Sequence, residues 1–249
     1  MAPFPIKFEK PITQPVAIFD YDNNRKYRIA IVQNASMSLY DQKGKKVNGF
    51  DFSNKDKGSI NQVPKHVRVG SKDYILVNEN TNGLHVLSRT GKERVKIKKK
   101  TQGTDNNWFW YKNAFTSLTA DNLITQVNTK GNVNKVKPIK NGEDIRIDAT
   151  SKTLVTLTEN TLTIKGKKVN LDYGLYTAPK IFYINNKIFI TTTDTQTSKV
   201  YLFDSNAKPI SGFPIYGNSL IDMGNMDKDN ALELVTKGDK NNLIIYEFK

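Results

Sequence analysis

Cysteine is absent from the 249 residues, which excludes disulfide staples, thiol nucleophiles and cysteine–metal centres. Its absence leaves the compartment open, because a chain this long can bury a core without bridges in an oxidising space as well. Histidine occurs only twice, at His66 and His85, each beside apolar neighbours, where it serves structure more often than catalysis. No run of residues is long and apolar enough to cross a bilayer. The richest, 180–191, is interrupted by Asn185, Asn186 and Lys187. The first five residues have neither a basic nor an apolar signal region, so they are no signal peptide. No segment keeps apolar residues at i, i+3, i+4 and i+7 over three turns, which argues against amphipathic helices. A Gly-x-Ser-x-Gly elbow, a phosphate loop and a His-Glu-x-x-His helix are all missing. On these grounds the chain is expected not to be an enzyme, although paired carboxylates of a hydrolase or lyase would be invisible at this level.

Arginine is scarce as well. The net charge is +14, from 38 Lys+Arg against 24 Asp+Glu, yet arginine supplies few of the cations: Arg25, Arg28, Arg68, Arg89, Arg94 and Arg146. Readers of bases and phosphates favour the bidentate guanidinium fork, so nucleic acid is not the expected partner. A lysine-driven anion-binding module, for nucleic acid or acidic polysaccharide, is the alternative.

What is present is a repeat. Met37–Asp41 leads through Lys43-Gly44 to Lys46–Phe50. Leu84–Leu87 leads through Thr90-Gly91 to Val95–Ile97. Leu123–Val127 leads through Lys130-Gly131 to Val136–Ile139, and Leu162–Ile164 through Lys165-Gly166 to Val169–Leu171. Val200–Asp204 leads through Ser205-Asn206-Ala207 to Ile210–Phe213, and Leu243–Tyr246 begins a sixth copy. Units of about 40–45 residues with a Gly turn are the size of a four-stranded propeller blade, and the glycines supply the positive φ of tight hairpins. The expected fold is therefore all-β: a single six-bladed β-propeller of four-stranded antiparallel blades. Approximate blades are 11–58, 59–101, 102–141, 142–174, 175–217, and 218–249 joined by residues 3–9. Pro3–Phe8 resembles Gly212–Tyr216 and is expected to close the last blade as its outer strand, against Leu243–Phe248. Lys45, Lys46, Lys96, Lys98, Lys135, Lys137, Lys167 and Lys168 lie in or beside predicted outer strands, where lysine discourages edge-to-edge pairing.

In the sixth copy Asn225, Asp227, Asp229 and Glu233 place side-chain oxygens at loop positions 1, 3, 5 and 9. Alternate oxygens on a tight turn suit a hard cation, though a turn rich in Asp and Asn is also a good turn without metal. This segment resembles the calcium loop of FG-GAP and VCBS-type propeller repeats of bacterial proteins, and the blade pattern is also similar to WD40-like and quinoprotein-like propellers. The resemblance implies either no cofactor or one weakly bound Ca²⁺. Asn225 departs from the family's usual first Asp. The corresponding loop of the first copy, Asp20 to Asn24, has Arg28 at its ninth position; it is expected to be metal-free, with Arg28 neutralising the aspartates.

Both tryptophans fall in Trp108-Phe109-Trp110-Tyr111. Strand alternation sends Trp108 and Trp110 to one face, as inter-blade core or as an aromatic platform for a ligand. Trp108, Trp110, Tyr111 and Lys112 are the candidate ligand-binding residues of the second reading. Together these features predict a binding or scaffolding domain for a protein or glycan partner, as a monomeric disc or part of a larger assembly. Because residue 1 falls inside a repeat, the chain reads as a piece of a secreted or envelope-associated bacterial protein, its leader absent; a cytoplasmic place stays open.

Overall fold

The computed structural model describes residues 5–55, 58–102, 106–136, 145–227 and 229–249. They fall into two compact units, Met1–Pro138 and Ile139–Lys249. No helix occurs among them. Among the described residues each unit carries three antiparallel sheets in which sequential strands pair, the arrangement of propeller blades, and none of these sheets is closed.

In the first unit, one sheet is β1 (Ala17–Phe19), β2 (Arg28–Gln33), β3 (Ser36–Asp41) and β4 (Phe52–Ser53). The next is β5 (Lys65–Val69), β6 (Lys72–Glu79), β7 (Gly83–Leu87) and β8 (Glu93–Val95), and the third is β9 (Phe109–Tyr111), β10 (Ala114–Leu118), β11 (Ile124–Asn128) and β12 (Val133–Val136). The second unit holds β13 (Ile145–Ala149), β14 (Leu154–Thr158), β15 (Thr161–Ile164) and β16 (Lys167–Asn170); then β17 (Lys180–Ile184), β18 (Lys187–Asp194), β19 (Lys199–Asp204) and β20 (Ile215–Tyr216); then β21 (Asp222–Gly224), β22 (Leu232–Lys237) and β23 (Leu243–Phe248).

Alternation along the inner strands explains how such sheets share a core. In β6, Ile75 and Val77 join Phe19, Val32, Met37 and Leu39 of the preceding sheet. Tyr74 and Leu76, one step out of phase, join Trp108, Phe115 and Val127 of the following sheet. One strand thus serves two cores, because successive side chains leave opposite faces. The second unit repeats this. In β18, Ile190 packs with Val155, Leu157 and Leu162, whereas Phe189 packs with Met223, Leu232 and Leu234. The outer strands β12 and β16 are mostly exposed and carry Lys135, Lys167 and Lys168, the edge position expected of them.

The turns after the third strands follow one recipe. Gly44, Gly91, Gly131 and Gly166 all have positive φ, and Ala207 takes the same conformation at 65°. In the first unit, Gly91 and Gly131 meet a second demand: a Cβ at Gly91 would strike the carbonyl of Asp51, just before β4, and one at Gly131 the carbonyl of Lys96, just after β8. At Gly44, Gly131 and Ala207 a side-chain oxygen three residues upstream caps the turn, whereas Ile164 pairs directly with Lys167 around a two-residue Lys165-Gly166 turn. Asp41 Oδ1 accepts from the Lys43 and Lys45 N–H groups, Asn128 Oδ1 from Lys130 and Asn132, and Asp204 Oδ1 from Asn206 and Lys208. These are Asx turns closing three-residue hairpins.

Two expectations need correction. The outer strand of the first and fifth sheets does not follow the turn directly: Lys46 and Pro209 make single bridges to Tyr40 and Phe203, and pairing resumes only at β4 and β20, beyond Gly49 and Gly212 at φ 80° and 86°. The N-terminal segment does not form the predicted closing strand. Residues 3 and 4 lie outside the described residues, 5–9 form no strand, and the β21–β23 sheet has three strands among those described. Pro5 has no N–H for a ladder, and Phe8 finds its apolar contact edge-on against Tyr40 at 5.6 Å. Gln33 holds the segment further by donating to the Lys10 carbonyl at 2.7 Å.

Candidate functional site

The loop between β21 and β22 brings three of the four expected ligands together. Carboxylate oxygens of Asp227, Asp229 and Glu233 lie within 4.8 Å of one another. Local bonds shape the loop: Asp227 Oδ1 accepts from the Asp229 N–H at 3.1 Å, and Asp229 Oδ1 from the Ala231 N–H at 2.6 Å. Asn225 closes it from inside, its Nδ2 donating to the carbonyls of Asp229 and Ala231 at 2.6 and 3.3 Å. Glu233 differs from the two exposed aspartates. It sits in β22 at 8% exposure, and its Oε2 accepts from the Met226 N–H at 2.6 Å. Its Oε1 is buried with no hydrogen-bond partner. Stranding a carboxylate oxygen in this way costs on the order of 1–3 kcal/mol or more. Three carboxylates converging on an unpaired buried oxygen fit a hard divalent cation, which takes oxygen ligands.

The first-copy loop is built otherwise. Asp20 accepts from the backbone of Asn24 and Arg25. Arg28 does not neutralise the aspartates; its Nη1 donates to the Lys26 and Tyr27 carbonyls. The cations come from the next sheet instead. Arg89 Nη2 meets Asp22 Oδ1 at 2.6 Å, Arg68 Nη1 meets it at 3.2 Å, and Arg89 Nε meets Asp73 Oδ2 at 2.6 Å. His66 Nε2 lies 2.8 Å from Asp73 Oδ1, and Tyr21 packs edge-on against His66 at 4.8 Å. Hydrogen bonding by Arg89, then by Arg68, holds Asp22 below the ordinary carboxylate range. Burial acts to raise Asp73, but His66 and Arg89 outweigh it, and its carboxyl also stays low. Burial pushes the Tyr21 phenol well above its usual value. This network, drawn from β5, β6 and the turns that follow β1 and β7, has no signature in the sequence. His85 sits edge-on to Phe52 at 5.5 Å, with Nε2 3.7 Å from the fully buried Glu79.

The aromatic run is core at its first tryptophan. Trp108 is 4% exposed, and its indole N–H donates to Asn78 Oδ1 at 3.0 Å, so it offers no face to a ligand. Trp110 is half-buried against Phe115 at 5.0 Å. Tyr111 is half-buried and Lys112 exposed, with the Lys112 ammonium 5.3 Å from the Tyr111 ring centre. The platform reading therefore loses Trp108, while Trp110 and Tyr111 stay half-buried and Lys112 exposed. Residues 103–105 of the preceding loop lie outside the described residues.

Comparison with solved structures places the fold. The structure of BBS1N in complex with ARL6DN aligns over 94% of this chain and 77% of that one, at 13% identity and a TM-score of 0.65. Streptogramin B lyase aligns over 97% of this chain and 85% of its own, at 14% identity and a TM-score of 0.59. Dihydro-heme d1 dehydrogenase NirN, in complex with DHE, aligns over 89% of this chain and 52% of that one, at 13% identity and a TM-score of 0.54. No family model matches the chain, and no curated protein matches it in sequence. The fold is thus β-propeller-like, and at these identities the likeness extends to the fold alone. It also corrects the expectation of no enzyme activity. A lyase and a dehydrogenase are among the solved structures with this fold, so the absence of a catalytic motif in the sequence does not rule out an enzyme. No helix among the described residues is long and apolar enough to cross a membrane.

Proposed function

We propose that this chain is a recognition domain that binds a protein partner, with one Ca²⁺ ordering the loop of residues 225–233 on its surface. The observation that carries the reading is Glu233 Oε1, buried and unpaired beside the converging Asp227 and Asp229 carboxylates. Asp227, Asp229 and Glu233 would hold the ion, which would supply the positive charge that the three carboxylates lack. The residues themselves fix the loop: Glu233 anchors it to β22, and Asn225 ties its two arms. With two exposed ligands and only three carboxylates, affinity belongs to the weak range of extracellular modules, Kd about 10⁻⁴–10⁻³ M. That range suits an extracytoplasmic protein, where calcium is abundant. A partner-binding role is supported by the BBS1N–ARL6DN complex, in which a chain of this fold is seen with a protein partner.

The test is thermal. For a Kd of ~1 mM, 10 mM CaCl₂ stabilises the folded chain by about 1.4 kcal/mol, or about 3–6 °C in Tm at this size. MgCl₂ at the same concentration is expected to do less, because Mg²⁺ demands stricter octahedral geometry. An identical Tm with and without calcium removes the ion from the account.

A further inference from the structure

A cleft of about 460 Å³ opens in the second unit, beside the acidic loop, in the size range typical of ligand sites, about 300–1,000 Å³. Its floor is apolar: Ile184, Ile188 and Phe189 from β17 and β18, Ile210 from the β19–β20 connection, and Leu232 and Phe248 from β22 and β23. Ile184, Ile188, Ile210 and Phe248 are only half-buried, so the chain leaves greasy surface in a concave place. The rim is polar and fixed. Asn185 and Asn186 form the β17–β18 turn with φ of 50° and 60°, the geometry of a tight primed hairpin. Tyr183, 64% exposed, donates its hydroxyl to Asn186 Oδ1 at 2.8 Å, which holds the ring in place. Asn230, from the acidic loop, completes a set of three carboxamides.

Two cations, Lys187 and Lys249, stand on this rim against one acid, Asp204. Both lysines are exposed, and neither has an ion-pair partner among the described residues. Asp204 is already committed, its Oδ1 accepting two backbone N–H groups. The ligand this lining complements has an apolar body, amide groups and negative charge. Side-chain carboxamides offer the same donor–acceptor pair as a peptide unit, an apolar floor takes a large side chain as an anchor, and unpaired lysines favour acidic neighbours. We propose that this cleft binds a short peptide segment of a protein partner, with one large apolar side chain in the floor and acidic residues against Lys187 and Lys249. The proposal rests on the recognition reading above and names the chemistry of its partner. The loop's own carboxylates stand next to Asn230, so binding tightens when calcium offsets them.

The test is selection of a displayed random dodecapeptide library on the whole chain in 5 mM CaCl₂, followed by anisotropy titration of the enriched peptides. Expected is a shared pattern of Leu, Ile, Phe or Trp flanked by Asp or Glu, with affinity reduced about tenfold by Lys187→Glu. Lys249→Glu should act in the same direction, and Lys130→Glu, in the other unit, should change nothing. All three side chains are exposed, and an unchanged Tm verifies folding. The proposal is overturned if no peptide is enriched, if the enriched peptides are basic or ignore Lys187→Glu, or if chitotriose or maltotriose binds these residues where peptides do not. Its failure separates from that of the calcium reading. Peptide binding in EGTA reports on the cleft alone, and the Tm shift with calcium reports on the loop alone.

Discussion

Gly174 provides a sharp test of how these sheets are held at their ends. It lies in the segment that enters β17, and its φ is not in the left-handed region, so the backbone itself would accept alanine. The obstacle is Asp194, at the end of β18. A Cβ on Gly174 would stand 2.5 Å from Asp194 Cγ and 2.6 Å from Oδ1. Asp194 cannot step aside cheaply. It is fully buried, and its carboxylate accepts from the Leu175 N–H at 3.0 Å, the Gln196 N–H at 2.9 Å and the Thr197 hydroxyl at 2.5 Å. Hydrogen bonds to a charged group contribute about 1.5–3 kcal/mol each, and overpacking costs about 1–3 kcal/mol. Gly174→Ala should therefore destabilise by about 2–4 kcal/mol, lowering Tm by about 5–15 °C. Differential scanning calorimetry is the right assay, because both tryptophans lie outside this unit. In an Asp194→Ala background the obstacle is gone, and Gly174→Ala should then cost under about 1 kcal/mol, a coupling of the size that contacting residues show. Gly224→Ala is the control: its φ is ordinary and its surroundings are open, so a change within about 0.5 kcal/mol is expected. An unchanged Tm for Gly174→Ala, or a cost that persists in full without Asp194, would refute the reasoning. The same device recurs at Gly58 against Glu79 and at Gly217 against Thr236.

Two further predictions concern the turns and the first-unit ion network. Ala207 adopts a left-handed conformation that its counterparts leave to glycine; Ala207→Gly should stabilise by about 0.5–1 kcal/mol, read as a higher urea midpoint with an unchanged slope. Asp73 is held below its unfolded pKa, so its contribution is present above about pH 4 and is lost as the pH falls through the folded value. Asp73→Asn should lower Tm at pH 7 and converge on the wild type as acid protonates the folded Asp73; parallel Tm–pH curves for the two proteins would exclude this role.

The periodic part of the fold was legible because it is local. The hairpin turns at Gly44, Gly91, Gly131, Gly166 and Ala207 announce themselves by short-range chemistry; the four glycines adopt the positive φ expected of them, and Ala207 adopts it without a residue type that announces it. The Asx cap three residues upstream, Asp41, Asn128 or Asp204, was equally readable and would have sharpened the repeat. Where the chain departs from its own pattern, local rules fail: β4 and β20 are delayed by a second glycine turn, and Phe8 settles on Tyr40 rather than in a strand. At the candidate metal loop, the spacing of Asp227, Asp229 and Glu233 was visible, but the burial of Glu233 comes from its place in β22. The Asp22–Arg68–Arg89–Asp73 network and the cleft beside Tyr183 arise from residues brought together by sheet stacking, which periodicity does not encode. Trp108 illustrates the same limit: alternation assigned its face, but only the indole bond to Asn78 assigns it to the core.

Isothermal titration calorimetry with CaCl₂, on the wild type and on Glu233→Gln, addresses the central claim most directly. Glutamine can keep the bond from the Met226 N–H while removing the buried charge. The account predicts one site per chain with Kd between about 10⁻⁴ and 10⁻³ M, weakened at least tenfold by the substitution. No heat from the wild type at 10 mM calcium, or equal binding by both proteins, would contradict it.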